Sequence, residues 1–140
     1  MIEDDPATVY AIELDRVREV RDPYEDHVWG PWVISIDEVA RAVVEGRIAP
    51  IPEWAADFPR GPPAADDRAY HIERIAYLVL YPSDDPISIE VVDTCGSTII
   101  NDGHHRIAAG IFRADQKILV DYGGYVDAFR QRFLAPRIPE

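Results

Sequence analysis

The residues whose types and spacing best suit chemistry form one short segment: Asp102, Gly103, His104, His105 and Arg106. An apolar stretch precedes this segment and small and apolar residues follow it, which predicts a strand, a tight turn and then a helix. The first amides of a helix are unpaired and carry partial positive charge. The three basic side chains would add nitrogen donors beside those amides, and this combination predicts an anion site with phosphate as the natural ligand.

The two residues that precede the histidines have different expected roles. Gly103 permits a close approach of the backbone or an unusual φ angle. Asp102 can cap the helix, bind a magnesium ion, or accept a proton from an attacking hydroxyl, and the sequence leaves these three roles open. A metal site built on the adjacent histidines is disfavoured, because neighbouring residues point in different directions on a helix.

The whole chain is acidic: its 140 residues include 26 acidic and 14 basic side chains, a net charge of −12. Such a surface repels long polyanions and anionic membranes, so nucleic acid and membrane partners are not expected. The length predicts one domain with a core of its own. A single cysteine, Cys95, excludes an intrachain disulfide and a thiolate-rich zinc site, and this cysteine usage is typical of the reducing cytoplasm.

The hydrophobic pattern predicts an α+β protein with a mixed sheet. Strands are expected at residues 8–15, 87–92, 97–100 and 117–122, and the second and third of these are expected to form a hairpin. Helices are expected at residues 36–45, 69–81, 107–113 and 125–134.

Several single residues have structural interpretations. Ser35 and Glu38 form a capping-box pattern at the start of the helix over 36–45, and Gly46 is placed to end it. The proline-rich segment 50–63 is expected to be a loop. Four aromatic residues are expected to anchor packing, or else to form the wall of a ligand pocket or a partner interface: Trp29, Trp32, Trp54 and Phe58. His27 and His71 are expected at the surface or as satisfied core residues.

The segment 102–106, with a strand before it and a small-residue helix after it, resembles the signature of the ParB/sulfiredoxin-like superfamily. The flanks are similar too: a helix with Arg74-Ile75 precedes Asp85-Pro86-Ile87, and a hairpin, the motif and a strand follow in order. The resemblance covers about residues 66–124 and implies a mixed sheet with flanking helices. It divides the single domain 1–140 into an N-terminal extension, 1–65, and a ParB/sulfiredoxin-like core, 66–135.

The resemblance implies several activities, which the residues sort. Sulfiredoxins place a cysteine after the glycine, where this chain has His104, so sulfinic-acid reduction is not expected. Chromosome-partitioning members carry Gly-Glu-Arg-Arg there and bind CTP. In this chain the glutamate is replaced by His104 and the first arginine by His105, so only the second arginine remains, as Arg106. The free-serine kinases of the superfamily have a catalytic aspartate in an Asp-Gly-His motif, which corresponds to Asp102. They also use an upstream glutamate, for which Glu53 and Glu73 are candidates.

Three functions follow from these observations. The first is binding of a nucleotide or small phosphorylated ligand by residues 103–106, with magnesium and with Asp102 as the catalytic residue or metal ligand of a kinase or nucleotide hydrolase. The second is a non-catalytic acidic module that binds a basic protein partner through the Trp- and Pro-rich first half. The third is a nuclease or DNA-associated protein, which the negative charge disfavours.

Overall fold

The structure is a computed structural model that describes residues 9–29, 32–50 and 65–134. Its strands are β1 (Tyr10–Glu13), β2 (Ile87–Val91), β3 (Thr98–Asp102) and β4 (Lys117–Gly124). Its helices are α1 (Leu14–Val20), α2 (Ile36–Glu45), α3 (Ala65–Leu80), α4 (His104–Arg113) and α5 (Val126–Phe129), the last continuing as a π-helical turn over Arg130–Leu134. These elements confirm the predicted α+β class.

The described residues divide into two compact units, and each unit draws on distant parts of the chain. A sheet unit contains residues 9–21, 84–103 and 115–134, and a helical unit contains residues 22–29, 32–50, 65–83 and 104–114. Each unit therefore takes residues from both sides of position 65. The division into an extension and a core at that position stays a prediction.

The sheet unit is built on four strands in the order β1-β4-β2-β3. The two outer pairs are antiparallel and the central pair, β2 with β4, is parallel, so the sheet is mixed as predicted. The predicted hairpin of β2 and β3 is confirmed. Asp93 closes its turn, because its Oδ1 accepts hydrogen bonds from the amides of Cys95 and Ser97 at 2.9 and 3.0 Å.

Strand alternation places one face of the sheet against the apolar residues of the final helical segment. Ile12 and Val120 are fully buried, whereas Ala11, which neighbours Ile12, is exposed. Tyr122 stacks on Phe129 of α5 with ring centroids 4.1 Å apart. Phe129 and Phe133 of the last segment are buried, whereas Tyr125 at its start is half exposed.

The predicted first strand ends earlier than expected, because a helix that the alternation concealed begins at Leu14. Leu14 and Val17 are spaced for one helical face and both are buried. The Nε of Arg16 lies 3.2 Å from Glu13 Oε1, and its Nη1 donates to the carbonyl of Arg132 at 3.3 Å. In this segment tertiary packing decides between two local patterns that both fit the sequence.

The helical unit begins its regular structure as predicted, with α2 over Ile36–Glu45. The capping box is present: the Glu38 amide donates to the Ser35 hydroxyl at 3.2 Å, and the Glu38 side chain accepts from the Ser35 amide at 3.1 Å. Gly46 ends the helix in the left-handed conformation. An ion pair between Glu38 and Arg68 connects α2 to α3.

An apolar cluster holds α2, α3, α4 and the segment before α2 together within the helical unit. Its buried members are Trp29, Ile34, Val39, Ala42, Ile72, Ile75, Ala76, Leu78, Ala108 and Ala109. Trp32 is half-buried against this cluster, so both described tryptophans are packing anchors as predicted. The small residues of α4 permit a close approach to α3.

The proline-rich segment from residue 51 to 63, with Trp54 and Phe58, lies outside the described residues. The final residues, 135–140, lie outside them as well. Within the part of the chain that is described, no helix has the length and apolar character needed to span a membrane.

Candidate functional site

The five residues of the predicted site fall into two groups. Asp102 ends β3 and Gly103 follows it, and both belong to the sheet unit. The three basic residues form the first turn of α4 and belong to the helical unit. The helix begins at His104 rather than at residue 107, so all three basic side chains are helical.

The start of α4 differs from that of α2 in the charge of its first turn. Asp37 and Glu38 occupy the first turn of α2, where acidic groups complement the helix dipole. The first turn of α4 has no acidic residue and instead carries His104, His105 and Arg106. The unpaired amides of a helix start are electropositive. In this turn the basic side chains lie beside such amides, so nitrogen donors are concentrated at one place in a strongly acidic chain.

Gly103, which precedes the helix, confirms the predicted unusual φ angle, with φ at +117°. A Cβ at this position would lie 2.7 Å from the Cβ of Ile87 in the adjacent strand. The backbone therefore passes too close to β2 for any side chain at this position.

A pair of histidines forms the centre of the described site. His105 of α4 and His71 of α3 face each other, and the Nδ1 of His71 lies 2.8 Å from the Nε2 of His105. The His71 residue is only 5% exposed, so the interpretation of His71 as a satisfied core residue is confirmed. His27, in contrast, is exposed.

Aromatic rings surround this histidine pair. The Trp29 ring lies 4.9 Å from the His71 ring and 4.6 Å from the His105 ring, centroid to centroid. Tyr70 meets both histidine rings edge-on. Trp29 is itself fixed by a hydrogen bond from its Nε1 to the carbonyl of Pro23 at 3.2 Å. Trp29 is thus a packing anchor, as predicted, and its ring packs against both histidines. Its alternative role in a ligand or partner surface stays a prediction.

This environment keeps His105 neutral. Loss of water around the ring lowers the pKa of His105 well below its usual value of 6.5. The neighbouring basic groups that lower it further, in order, are His71, Arg74, His104 and Arg106. Therefore His105 is placed to orient the start of α4, rather than to carry positive charge there.

His104, His105 and Arg106 are all half-buried, and His104 and Arg106 flank His105 in the first turn. The edge of the His104 ring lies 6.1 Å from the Trp29 ring, centroid to centroid. Further along α4, Tyr24 donates from its hydroxyl to the carbonyl of Ala108 at 2.7 Å, and Arg113 donates to the carbonyl of Leu78 at 2.8 Å. These contacts fix the helix on which the first turn is built.

The predicted carboxylates have separate positions. Asp102 is exposed at the end of β3, where it pairs with Ser88 of β2. Glu73 forms an ion pair with Arg47 at 3.5 Å, and Glu53 lies outside the described residues. Among the described residues there is no cluster of three or more His, Cys, Asp or Glu side chains that would hold a metal ion.

The contact between His71 and His105 could not be predicted from the sequence. The two residues are 34 positions apart on different helices, so no local spacing joins them. One signal pointed to the burial of His71: it lies four residues before Ile75, on the apolar face of α3.

The chain matches no protein-family model, no curated protein and no solved structure.

Proposed function

We propose that the protein binds a phosphate group, carried by a nucleotide or a small phosphorylated ligand, at the first turn of α4. The observation that carries the proposal is the composition of that turn: three nitrogen-bearing side chains and no acid. Helix starts favour anions, and His and Arg side chains are good donors to phosphate oxygens. The rest of the chain has an excess of acids, which makes this local concentration of donors unusual.

The three basic residues have different roles in this proposal. Arg106 supplies a permanent charge and a planar pair of donors, which suits a phosphate. His104 supplies a second donor from the same turn. His105, whose ring is held by His71, positions the turn. Gly103 has no side chain that would cover the backbone just before the helix.

We propose further that the bound phosphate is a substrate and that Asp102 acts on it. An exposed carboxylate at the end of a strand is able to accept a proton from an attacking hydroxyl. Its oxygens also suit magnesium, which is commonly held by one or two carboxylates together with substrate phosphates. When bound, magnesium would neutralise charge on those phosphates. The reaction class is phosphoryl transfer to an acceptor or hydrolysis of a nucleotide.

The finer fold assignment belongs to the same proposal. The mixed four-stranded sheet and the strand, glycine and helix order around residue 103 support a ParB/sulfiredoxin-like fold. The free-serine kinases that the motif resembles have their catalytic aspartate at the position of Asp102. This likeness supports phosphoryl transfer over sulfinic-acid reduction, since His104 stands where a sulfiredoxin has its cysteine.

Calorimetric titration with ATP, ADP, CTP and GTP, each with and without magnesium, tests the proposal. We expect at least one nucleotide to bind, and Arg106→Gln to weaken its affinity by about 10- to 100-fold, the loss expected for a hydrogen bond to a charged group. Arg41→Gln is the matched control, because Arg41 is an exposed arginine of α2 in the same unit. No binding by the folded wild-type protein would refute the proposal.

The catalytic part has a separate readout. We expect Asp102→Asn to lower the rate of nucleotide hydrolysis or phosphoryl transfer while changing the affinity much less, because the carboxylate acts on the reaction rather than on the phosphate charge. If Asp102→Asn hydrolyses nucleotide at the wild-type rate, Asp102 has no catalytic role and the site is for binding alone.

A further inference from the structure

The contact between His71 and His105 is a polar link inside an otherwise apolar joint. Helices α3 and α4 meet through Ile72, Ile75, Ala76, Ala108 and Ala109, all of which are fully or almost fully buried. The ring nitrogens of the two histidines approach to 2.8 Å beside this apolar surface. Protonation of titratable groups at such a position changes the packing of the two helices, so this packing depends on pH.

The geometry limits how many protons the pair accepts. A hydrogen bond between two ring nitrogens needs a proton on one nitrogen and a lone pair on the other. A histidine cation carries protons on both nitrogens and has no lone pair to offer. Consequently at most one of the two rings is cationic while the 2.8 Å contact exists. A second charge would place two N–H groups and two positive rings against each other.

The basic groups around His105 oppose its protonation. On α3 the ionisable neighbours are Tyr70 and Arg74, and on α4 they are His104 and Arg106. The segment before α2 contributes Trp29, which has no charge and covers both rings. The basic groups and the loss of water lower the pKa of His105 in the same direction. Acid is therefore taken up more readily by the unfolded or opened chain than by the closed pair.

We propose that the His71–His105 pair is a proton-controlled catch between α3 and α4. At neutral pH the pair is bonded and holds the first turn of α4 against α3. When both rings become protonated, the bond is lost, the two cations repel each other, and the start of α4 separates from α3. This inference does not depend on phosphate binding, because it concerns the joint between the helices and not a ligand.

The direction of the pH effect follows from the lowered pKa. Above the ordinary histidine pKa neither the folded nor the unfolded state carries the extra proton, so the catch contributes in full. As the pH falls below about 6.5, the unfolded state binds protons that the folded state refuses. The equilibrium constant for unfolding or opening is expected to rise by up to about tenfold for each pH unit per proton refused, until the folded pair itself titrates.

Nuclear magnetic resonance on the wild-type protein tests the catch directly. Imidazole nitrogen shifts give the titration of each histidine, and amide hydrogen exchange gives the opening of α4. We expect His105 to titrate well below the ordinary histidine pKa of 6.5, and the amides of α4 to lose protection as the pH falls through that range. Titration of His105 at or above 6.5, or protection of α4 that does not change with pH, would overturn the proposal.

Glutamine variants supply the second test, since an amide side chain donates and accepts hydrogen bonds but does not titrate in this range. We expect His105→Gln and His71→Gln to unfold in urea with a much weaker dependence on pH between about 5 and 6.5 than the wild type. His27→Gln is the matched control and is expected to keep the wild-type dependence. A full wild-type dependence in both catch variants would contradict the inference. If either variant fails to fold, the wild-type titration still decides the question.

Discussion

At the scale of single residues, Gly103 and Gly46 offer a matched comparison of steric and conformational strain. Both have a positive φ, +117° for Gly103 and +71° for Gly46. A Cβ at Gly103 would collide with the side chain of Ile87, whereas a Cβ at Gly46 would meet nothing within 4 Å. Both positions therefore strain a residue that has a Cβ. Gly103 lies further from the left-handed helical region than Gly46, and it also lacks the space for a side chain.

We expect Gly103→Ala to lower the free energy of unfolding by about 3 kcal/mol or more, because it adds overpacking against Ile87 to the cost of the backbone conformation. Gly46→Ala is expected to lower it by only about 1 kcal/mol, the cost of a left-handed residue with open space around it. Urea unfolding of both variants measures the difference. Equal losses would show that β2 yields at Ile87 and that the close approach is not a fixed constraint.

At the scale of elements, the start of α2 shows how much a local pattern alone decides. The capping box of Ser35 and Glu38 sits on an exposed turn, so its contribution comes from hydrogen bonds and not from burial. The Glu38 carboxylate also accepts from Arg68 of α3, and this bond is the main reason that the pKa of Glu38 is lowered. A single side chain thus connects the capping of one helix with the packing of the next.

We expect Ser35→Ala to destabilise the protein by about 1 kcal/mol, the usual cost of removing a helix cap. Ser35→Asp is the matched variant and is expected to restore most of the loss, because its carboxylate accepts the same amide proton. The midpoint of thermal unfolding measures both. A loss in Ser35→Ala that Ser35→Asp does not recover would show that the Ser35 hydroxyl acts through something other than the cap.

The helices differ in how well the local sequence predicts them. Helix α2 has its cap, its apolar stripe and its ending glycine within a dozen residues, and its predicted bounds are confirmed. Helix α1 was not predicted, because the apolar residues around Leu14 also fit strand alternation. The start of α4 at His104 agrees with the helix start that the phosphate hypothesis needs, but it is earlier than the predicted range 107–113, because the first turn contains three basic residues and no apolar one.

Part of the candidate site could be predicted from adjacent residues, and part depends on residues that are distant in the sequence. The turn 102–106 and the unusual φ of Gly103 follow from adjacent residues, and both were predicted. The contact of His71 with His105 depends on how α3 packs on α4, which no local spacing encodes. Burial of His71 was accessible from the apolar face of α3, but its partner was not.

At the scale of the whole molecule, the net charge of −12 disfavours the compact folded state. The basic first turn of α4 is a local exception to this negative charge. Like charges on a folded chain repel one another, and added salt screens this repulsion. An acidic module that binds a basic protein partner shares this charge, so the charge does not separate that alternative from phosphate binding. The effect of different anions on stability separates the two alternatives. Screening of the acidic surface depends only on ionic strength, whereas binding at a site depends on the identity of the anion.

We expect sodium chloride to raise the midpoint of urea unfolding, since it screens the excess of acids. Inorganic phosphate at the same ionic strength is expected to raise it further, because an anion bound to the folded state adds stability by mass action. Phosphate also stabilises proteins in general, by exclusion from their surface, so the comparison needs Arg106→Gln and the control Arg41→Gln. The additional gain should fall in Arg106→Gln and persist in Arg41→Gln. An equal gain in both variants would assign it to general exclusion, leaving the acidic surface and a basic partner as the better account of the chain.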